Sequence, residues 1–259
     1  RDLRMSRGLG DVYKRQADYW KEKIGNLQEY QYGYHKGWSM ILDTLTWPVL
    51  IMMLICIGIA PIFAGEYQSK CDSLILCMKY GRSKLILAKI ISGWLYATGV
   101  YWGITLIYSS IYMIFLGTQG ADLPIQLKYP AMSVGYNLTM GEAVGITLLL
   151  GYFFTLGIMG ITLFMSALLK NTYAVIIVAF LLIIIPTFLS LDTGGYVWSH
   201  VLSLLPPKIA DFSFQSYTAY SIGNIVLSWP VMAILVNAIV AVLCSVLGYI
   251  IFRKHQVNK

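Results

Sequence analysis

The sequence predicts an all-α polytopic membrane protein, and three observations support this fold class. Hydrophobic residues make up 58% of the 259 residues, charged residues make up only 12%, and the mean hydropathy is +0.67. Long apolar stretches recur along the chain, and each is close to the about 20 residues that a helix needs to cross the hydrocarbon core. The alternating apolar and polar segments typical of membrane β-barrels do not occur in the sequence.

Five stretches are long and apolar enough to form membrane-crossing helices, in which every backbone polar group is bonded within its own segment. They are residues 44–64, 86–116, 143–169, 173–191 and 226–252. Four prolines lie near their ends, where neighbouring helices can cover the carbonyl groups that proline leaves free: Pro48, Pro61, Pro186 and Pro230.

Lysine and arginine in the connecting segments predict the orientation of the spans. The connection between the first two spans is strongly basic, whereas the loop 117–142 contains a single basic residue, Lys128. We therefore expect the first connection and the C-terminal tail to lie in the cytoplasm. The basic residues of the first connection are Lys70, Lys79, Arg82, Lys84 and Lys89.

Five spans with a cytoplasmic C-terminus place the N-terminus outside, and no signal sequence precedes residue 40. We therefore expect a sixth span in the intact protein. Residues 11–16, DVYKRQ, resemble the translation of a transposon end used in sequencing libraries, so we interpret residues 1–16 as a sequencing or cloning artefact. Residues 17–40 are then an extracytoplasmic interfacial segment, and residues 41–259 form the transmembrane domain.

The charge and the motifs of the chain exclude several function classes. Without residues 1–16, 14 basic and 10 acidic residues leave a net charge of +4 instead of +7, and no basic face with stacking aromatics indicates a nucleic-acid partner. No HExxH or GxSxG sequence occurs, and the four cysteines lack metal-site spacing. We expect no catalytic residue, no bound cofactor and no metal site.

The span interiors lack the ionisable residues that ion-coupled transport requires. Asp43, Lys89, Glu142 and Asp192 all lie at span edges, where solvent contact or snorkelling suffices. The chain also lacks the GxxxxGK[ST] loop that binds nucleotide phosphates. If the chain moves a substrate, the energy must therefore come from another subunit.

The polar segment EYQSKCDSLILCMKYGRSK, residues 66–84, interrupts the apolar pattern. Its spacing predicts an amphipathic helix over 67–80, which Gly81 ends before Arg82 meets the headgroup region. Two interpretations stay open, a helix lying on lipid and a docking element for a cytoplasmic partner. The apolar face consists of Tyr67, Cys71, Leu74, Ile75 and Met78.

Glu66, the 67–80 helix and Gly81-Arg82-Ser83 resemble, in order and spacing, the coupling segment of the permease subunits of type-two ABC exporters. The resemblance covers nearly the whole chain from about residue 40. It implies a multi-pass protein of the bacterial cytoplasmic (inner) membrane, and it implies two partners: an ABC ATPase subunit that uses ATP, and a second permease copy or paralogue. The residues implied in coupling are Glu66, Tyr67, Leu74, Met78, Gly81 and Arg82.

The function implied by the resemblance is a transmembrane pathway for ATP-driven export of an unidentified substrate, with 66–84 as the coupling segment. In such permeases the outer segment, here 192–225, re-enters the outer leaflet and helps to close the exit. The alternative is a non-transporting polytopic membrane anchor or sensor, in which the amphipathic helix only binds lipid.

Small and aromatic residues of two spans are candidates for helix packing or for the pathway. Gly151, Gly157 and Gly160 recur along the span 143–169, where small side chains let helices approach closely, and could form a seam with a second transmembrane domain. Tyr101 and Tyr108 recur near helical spacing along the span 86–116 and could line a substrate route.

Overall fold

The computed structural model describes residues 14, 33–45, 48–71, 81–129, 136–189, 195–211, 214, 219–222 and 225–254. In these residues the fold is helical apart from one antiparallel hairpin and an isolated antiparallel bridge between Pro124 and Thr139, which agrees with a polytopic helical protein. The helices are α1 (Lys36–Leu45), α2 (Val49–Ile59), α3 (Pro61–Gln68), α4 (Ile86–Leu116), α5 (Met140–Leu168), α6 (Thr172–Phe188), α7 (Gly195–Ser203) and α8 (Trp229–Lys254).

Short irregular elements connect the helices. A π-helical turn, Gly81–Leu85, leads into α4, and 3-10 helices occupy Ile125–Leu127 and Pro206–Asp211. The hairpin pairs β1 (Ala219–Ile222) with β2 (Ile225–Ser228).

Within the described residues, four helical segments are long and apolar enough to cross a membrane. They correspond to the first, second, third and fifth predicted stretches, and the second prediction, 86–116, coincides with α4. The chain is therefore a membrane protein by the length and composition of its helices. The four segments are Val49–Gln68, Ser83–Leu116, Met140–Leu168 and Trp229–Lys254.

The predicted stretch 173–191 forms the shorter apolar helix α6. Its 17 residues rise about 25 Å, which is less than the roughly 30 Å of a typical hydrocarbon core. Asn171 begins the helix, since its side-chain oxygen accepts a hydrogen bond from the Tyr173 amide at 2.9 Å. That α6 crosses the membrane stays a prediction.

Local capping and proline chemistry explain where the observed boundaries depart from the predicted ones. The prediction started the first span at residue 44, but α2 begins at Val49 directly after Pro48. α5 begins at Met140 because Thr139 and Glu142 form a reciprocal capping box, with N···O distances of 2.9 and 3.2 Å. The prediction started the last span at residue 226, but Ile225–Ser228 pair as β2, and Pro230 fits the first turn of α8.

The chain divides into two compact units, of which the first comprises residues 1–46, 109–149 and 211–233. In this unit, Lys128 Nζ donates to the Ser39 carbonyl at 2.7 Å and to Asp43 Oδ1 at 2.6 Å. Burial lowers the pKa of the Lys128 ammonium, against the opposing effect of Asp43. The Trp38 indole donates to the Thr118 carbonyl at 3.0 Å, which further ties α1 to the loop after α4.

The second unit comprises residues 47–108, 150–210 and 234–259, and its apolar core joins five of the helices. One cluster of buried side chains combines residues of α2, α3, α4, α5 and α8, and Val175 of α6 packs on Ala60 and Ala64. Members of the first cluster include Ile55, Phe63, Ile90, Leu163, Ala241 and Phe252.

Candidate functional site

The structure places the predicted coupling residues at the two ends of the polar segment. Glu66 and Tyr67 lie in the last turn of α3, and Gly81 and Arg82 lie in the π-helical turn before α4. Leu74 and Met78, the other two predicted coupling residues, lie outside the described residues.

The predicted start of the amphipathic helix is wrong. Tyr67 and Gln68 are the last residues of α3, and Ser69 Oγ donates to the Gly65 carbonyl at 2.9 Å where the helix ends. Lys70 then adopts a left-handed backbone conformation with a φ of 54°, which cannot continue an α-helix. The helix predicted over 67–80 therefore does not begin at Tyr67, and its remainder, 72–80, lies outside the described residues.

An ion pair between Glu66 and Lys89 joins the start of this segment to α4, the helix that follows it. Lys89 lies in the first turn of α4, and its ammonium also donates to the Ile62 carbonyl at 3.0 Å. The two side chains are 14% and 24% exposed, respectively, so the pair is partly shielded from solvent. The ion pair therefore holds the end of α3 next to the start of α4.

Tyr67 attaches the same end of α3 to α5 and α8. Its hydroxyl donates to the Ala167 carbonyl in the last turn of α5 at 3.2 Å. Its ring centroid lies 5.4 Å from that of Phe252, which in turn lies 4.7 Å from the Phe63 ring. The ends of α3 and α8 therefore share an aromatic contact, and a hydrogen bond joins the end of α5 to the same tyrosine.

Gln68 extends these contacts to α6. Its Nε2 donates to Asn171 Oδ1 at 3.0 Å, and this oxygen is the one that caps α6. We call the ends of α3, α5 and α8 together with the starts of α4 and α6 the helix-end cluster. Every helix of this cluster is tied to α3 by a side-chain contact of Glu66, Tyr67 or Gln68.

Ser166 holds the break between α2 and α3. Pro61 has no amide hydrogen, so the helix cannot continue its regular hydrogen bonds past Ala60. The buried Ser166 hydroxyl of α5 donates to the Ala60 carbonyl at 2.7 Å and accepts from the amides of Phe63 and Ala64 at 3.1 Å each. One side chain therefore replaces the backbone bonds at the break.

Sequence reasoning identified Glu66 and Tyr67 but missed their partners. The sequence predicts only that Lys89 lies at the edge of a span. Glu66 and Lys89 have opposite charges and lie on either side of one polar segment, and this arrangement could have indicated the ion pair. Ser166 and Asn171 lie about a hundred residues from their partners, and nothing in the sequence indicates those contacts.

The candidate glycines pack against helices of the same chain. A Cβ atom at Gly157 would lie 2.6 Å from Asn237 Oδ1, and one at Gly160 would lie 2.7 Å from the Ala241 Cα atom. Gly151 faces the hydroxyl of Tyr101, which is buried. α5 thus approaches α4 and α8 at these positions, and a seam with a second transmembrane domain stays a prediction.

The tyrosine candidates differ in their surroundings. The Tyr101 ring centroid lies 5.6 and 5.7 Å from those of Trp102 and Tyr152, while Tyr108 is half-buried in the same helix. Such a packed aromatic cluster is typical of helix packing. A substrate route along these tyrosines stays a prediction.

Two buried polar side chains hold the segment that follows α6. Asn237, within α8, donates from Nδ2 to the Leu204 carbonyl at 3.2 Å. Lys208 donates from Nζ to the Leu189 carbonyl at the end of α6, at 2.7 Å. A positive charge at a helix C-terminus is favourable.

Breaking the Glu66–Lys89 pair is expected to destabilise the second unit. Glu66→Ala should lower the free energy of unfolding by about 2 kcal/mol, because it leaves the Lys89 charge in a partly buried site, and partial exposure keeps the loss below that of a fully buried pair. The measurement is a double-mutant cycle with Lys89→Met in detergent unfolding experiments. Additive effects of the two substitutions would contradict a direct interaction.

A comparison with family models matches residues 23–257 to a family described as a protein of unknown function (DUF2705). No curated protein and no solved structure matches the chain. Among the described residues, no group of three or more histidine, cysteine, aspartate or glutamate side chains could hold a metal ion.

Proposed function

We propose that this chain, which belongs to the DUF2705 family, is the permease subunit of a type-two ABC exporter. In this proposal the spans form the pathway for an unidentified substrate, and a second permease copy or paralogue completes it. ATP is bound and hydrolysed by a separate ATPase subunit, since the chain has no GxxxxGK[ST] loop.

The observation that carries the proposal is the attachment of residues 66–68 to the helix-end cluster. Glu66 pairs with Lys89, Tyr67 bonds to Ala167, and Gln68 bonds to Asn171. A partner that pushes on the segment 66–84 would therefore move several helix ends together.

The coupling step is a rigid-body movement. Closure of an ATPase dimer on ATP displaces the docked segment, and the ion pair passes this displacement to α3 and α4. The break at Pro61 lets α3 rotate against α2, while Ser166 keeps the broken backbone satisfied. The energy of ATP binding thereby shifts the population between two arrangements of the spans.

We also propose that the segment around α7 closes the outer end of the pathway. The contacts of α7 and of the following 3-10 helix support this role. Asn237 lies eight residues, or about 12 Å, inside α8, and it binds the Leu204 carbonyl just after α7. Lys208 fixes the same segment to the end of α6. A segment held at this depth is suited to obstruct the outer end of the spans.

Co-purification with an ATPase tests the proposal. The full-length protein, isolated from its native membrane in mild detergent, is expected to retain an ABC ATPase in stoichiometric amount. Leu74→Ala or Met78→Ala should each weaken docking by roughly 1–3 kcal/mol, the usual effect of removing an interface anchor. Arg82→Glu should weaken it as well, since it reverses a charge at the interface.

The matched control is Leu95→Ala, which removes an exposed leucine of α4 that lies 11 residues after the end of the segment. It should leave the ATPase bound and ATP turnover unchanged. If the wild-type protein retains no ATPase, the chain is a non-transporting anchor or sensor. An undisturbed complex with normal ATP turnover in all three coupling variants would also contradict the coupling role of 66–84.

A further inference from the structure

The helix-end cluster presents exposed positive charge at the limits of the candidate spans. Each exposed basic residue lies within two residues of the first or last residue of a span. Charged groups at span ends reach the depth of the lipid headgroups. These residues are Lys70, Lys84, Lys170, Arg253 and Lys254.

The described residues of the cluster include more basic than acidic side chains. In the described part of the cluster, Glu66 is the acidic residue, and it is already paired with Lys89. The cluster therefore carries a clear excess of positive charge.

Exposed apolar side chains lie beside the basic ones. Leu168 precedes Lys170 by two positions, Tyr173 follows it by three, and both are exposed. The Arg253 guanidinium lies 6.0 Å from the centroid of the Tyr249 ring, one turn earlier in α8. The surface thus combines groups that fit a phosphate with groups that fit an acyl chain.

We infer that the helix-end cluster is a binding surface for anionic phospholipids. Headgroup phosphates contact the exposed cations Lys170, Arg253 and Lys254, and the acyl chains lie along the exposed apolar side chains of the same helices. An acidic protein would explain the charge but not the exposed apolar residues that continue into the spans. This inference is independent of the proposed function, since it concerns the chain alone.

Native mass spectrometry of the purified full-length protein, without any ATPase, tests the inference. Phosphatidylglycerol and phosphatidylcholine are titrated separately, and phosphatidylglycerol is expected to bind more tightly. The variant Lys170→Gln/Arg253→Gln/Lys254→Gln should lose this preference, with roughly a hundredfold weaker phosphatidylglycerol binding, since each cation near an anionic surface contributes about fivefold. High salt should reduce the wild-type preference in the same direction.

Two control variants separate charge from damage to the fold. Lys170→Arg/Lys254→Arg keeps the charges and should bind like the wild type, and Lys36→Gln removes an exposed lysine of the first unit without effect. Equal binding of both lipids by the wild type, or unchanged binding by the triple variant, would overturn the inference. If the triple variant keeps phosphatidylglycerol but loses a co-purifying acidic protein, the surface is a protein dock and the lipid inference fails.

Discussion

Replacing Ser166 with alanine is expected to lower the free energy of unfolding by about 3 kcal/mol. The substitution removes the acceptor for the amides of Phe63 and Ala64 and the donor to the Ala60 carbonyl, all in a fully buried site. Each buried polar group left without a partner costs roughly 1–3 kcal/mol, and relaxation of the helix at Pro61 recovers a part of the total.

Unfolding of Ser166→Ala in detergent, followed by circular dichroism, measures this loss. Ser92→Ala is the matched control, because the Ser92 hydroxyl is exposed and donates only to the Lys89 carbonyl of its own helix. The control should change stability by less than about 0.5 kcal/mol. A loss below 1 kcal/mol for Ser166→Ala would mean that the backbone at Pro61 finds other partners.

Replacing Gly160 with leucine should destabilise the protein by about 3 kcal/mol or abolish its folding. A Cβ atom there would lie 2.7 Å from the Ala241 Cα atom and 2.8 Å from the Ala241 carbonyl oxygen. Backbone atoms cannot turn away as a flexible side chain can, so α5 and α8 must separate and lose their packing.

Gly103→Leu is the control for this substitution, since a Cβ atom at Gly103 of α4 meets no atom within 4 Å. It introduces the same side chain into a membrane span and should leave stability unchanged or raise it slightly. Thermal unfolding of both variants in one detergent gives the comparison. Equal stability of Gly160→Leu and Gly103→Leu would contradict close packing of α5 on α8.

The spans could be predicted because the constraint that produces them is local. A helix that crosses hydrocarbon must keep its own residues apolar over a fixed length, and α4 was predicted from Ile86 to Leu116 on that basis alone. The ends of other helices were missed where a specific side chain decides them, as in the capping pair Thr139 and Glu142. The predicted last span includes residues 226–228, which the structure places in the strand Ile225–Ser228, because short apolar runs fit both structures.

For the contacts of the site, the sequence indicates one residue of the pair but not its partner. Glu66 stands out as the acidic residue that opens a polar segment, and Tyr67 follows it. Their attachments depend on the tertiary packing of helices distant in sequence, since Ala167 is 100 residues from Tyr67 and Asn171 is 103 residues from Gln68. Periodicity within one helix carries no information on such pairs.

The unequal lengths of α4 and α6 have a consequence for the lipid around the protein. α4 rises about 46 Å and α6 about 25 Å, whereas an average bilayer offers about 30 Å of hydrocarbon. If α6 crosses the membrane as predicted, one flat bilayer cannot match both helices, so α4 must tilt or extend beyond the hydrocarbon while the lipid beside α6 becomes thinner. In that case the protein imposes a thickness gradient on the lipids that surround it, and its stability is expected to depend on the length of their acyl chains.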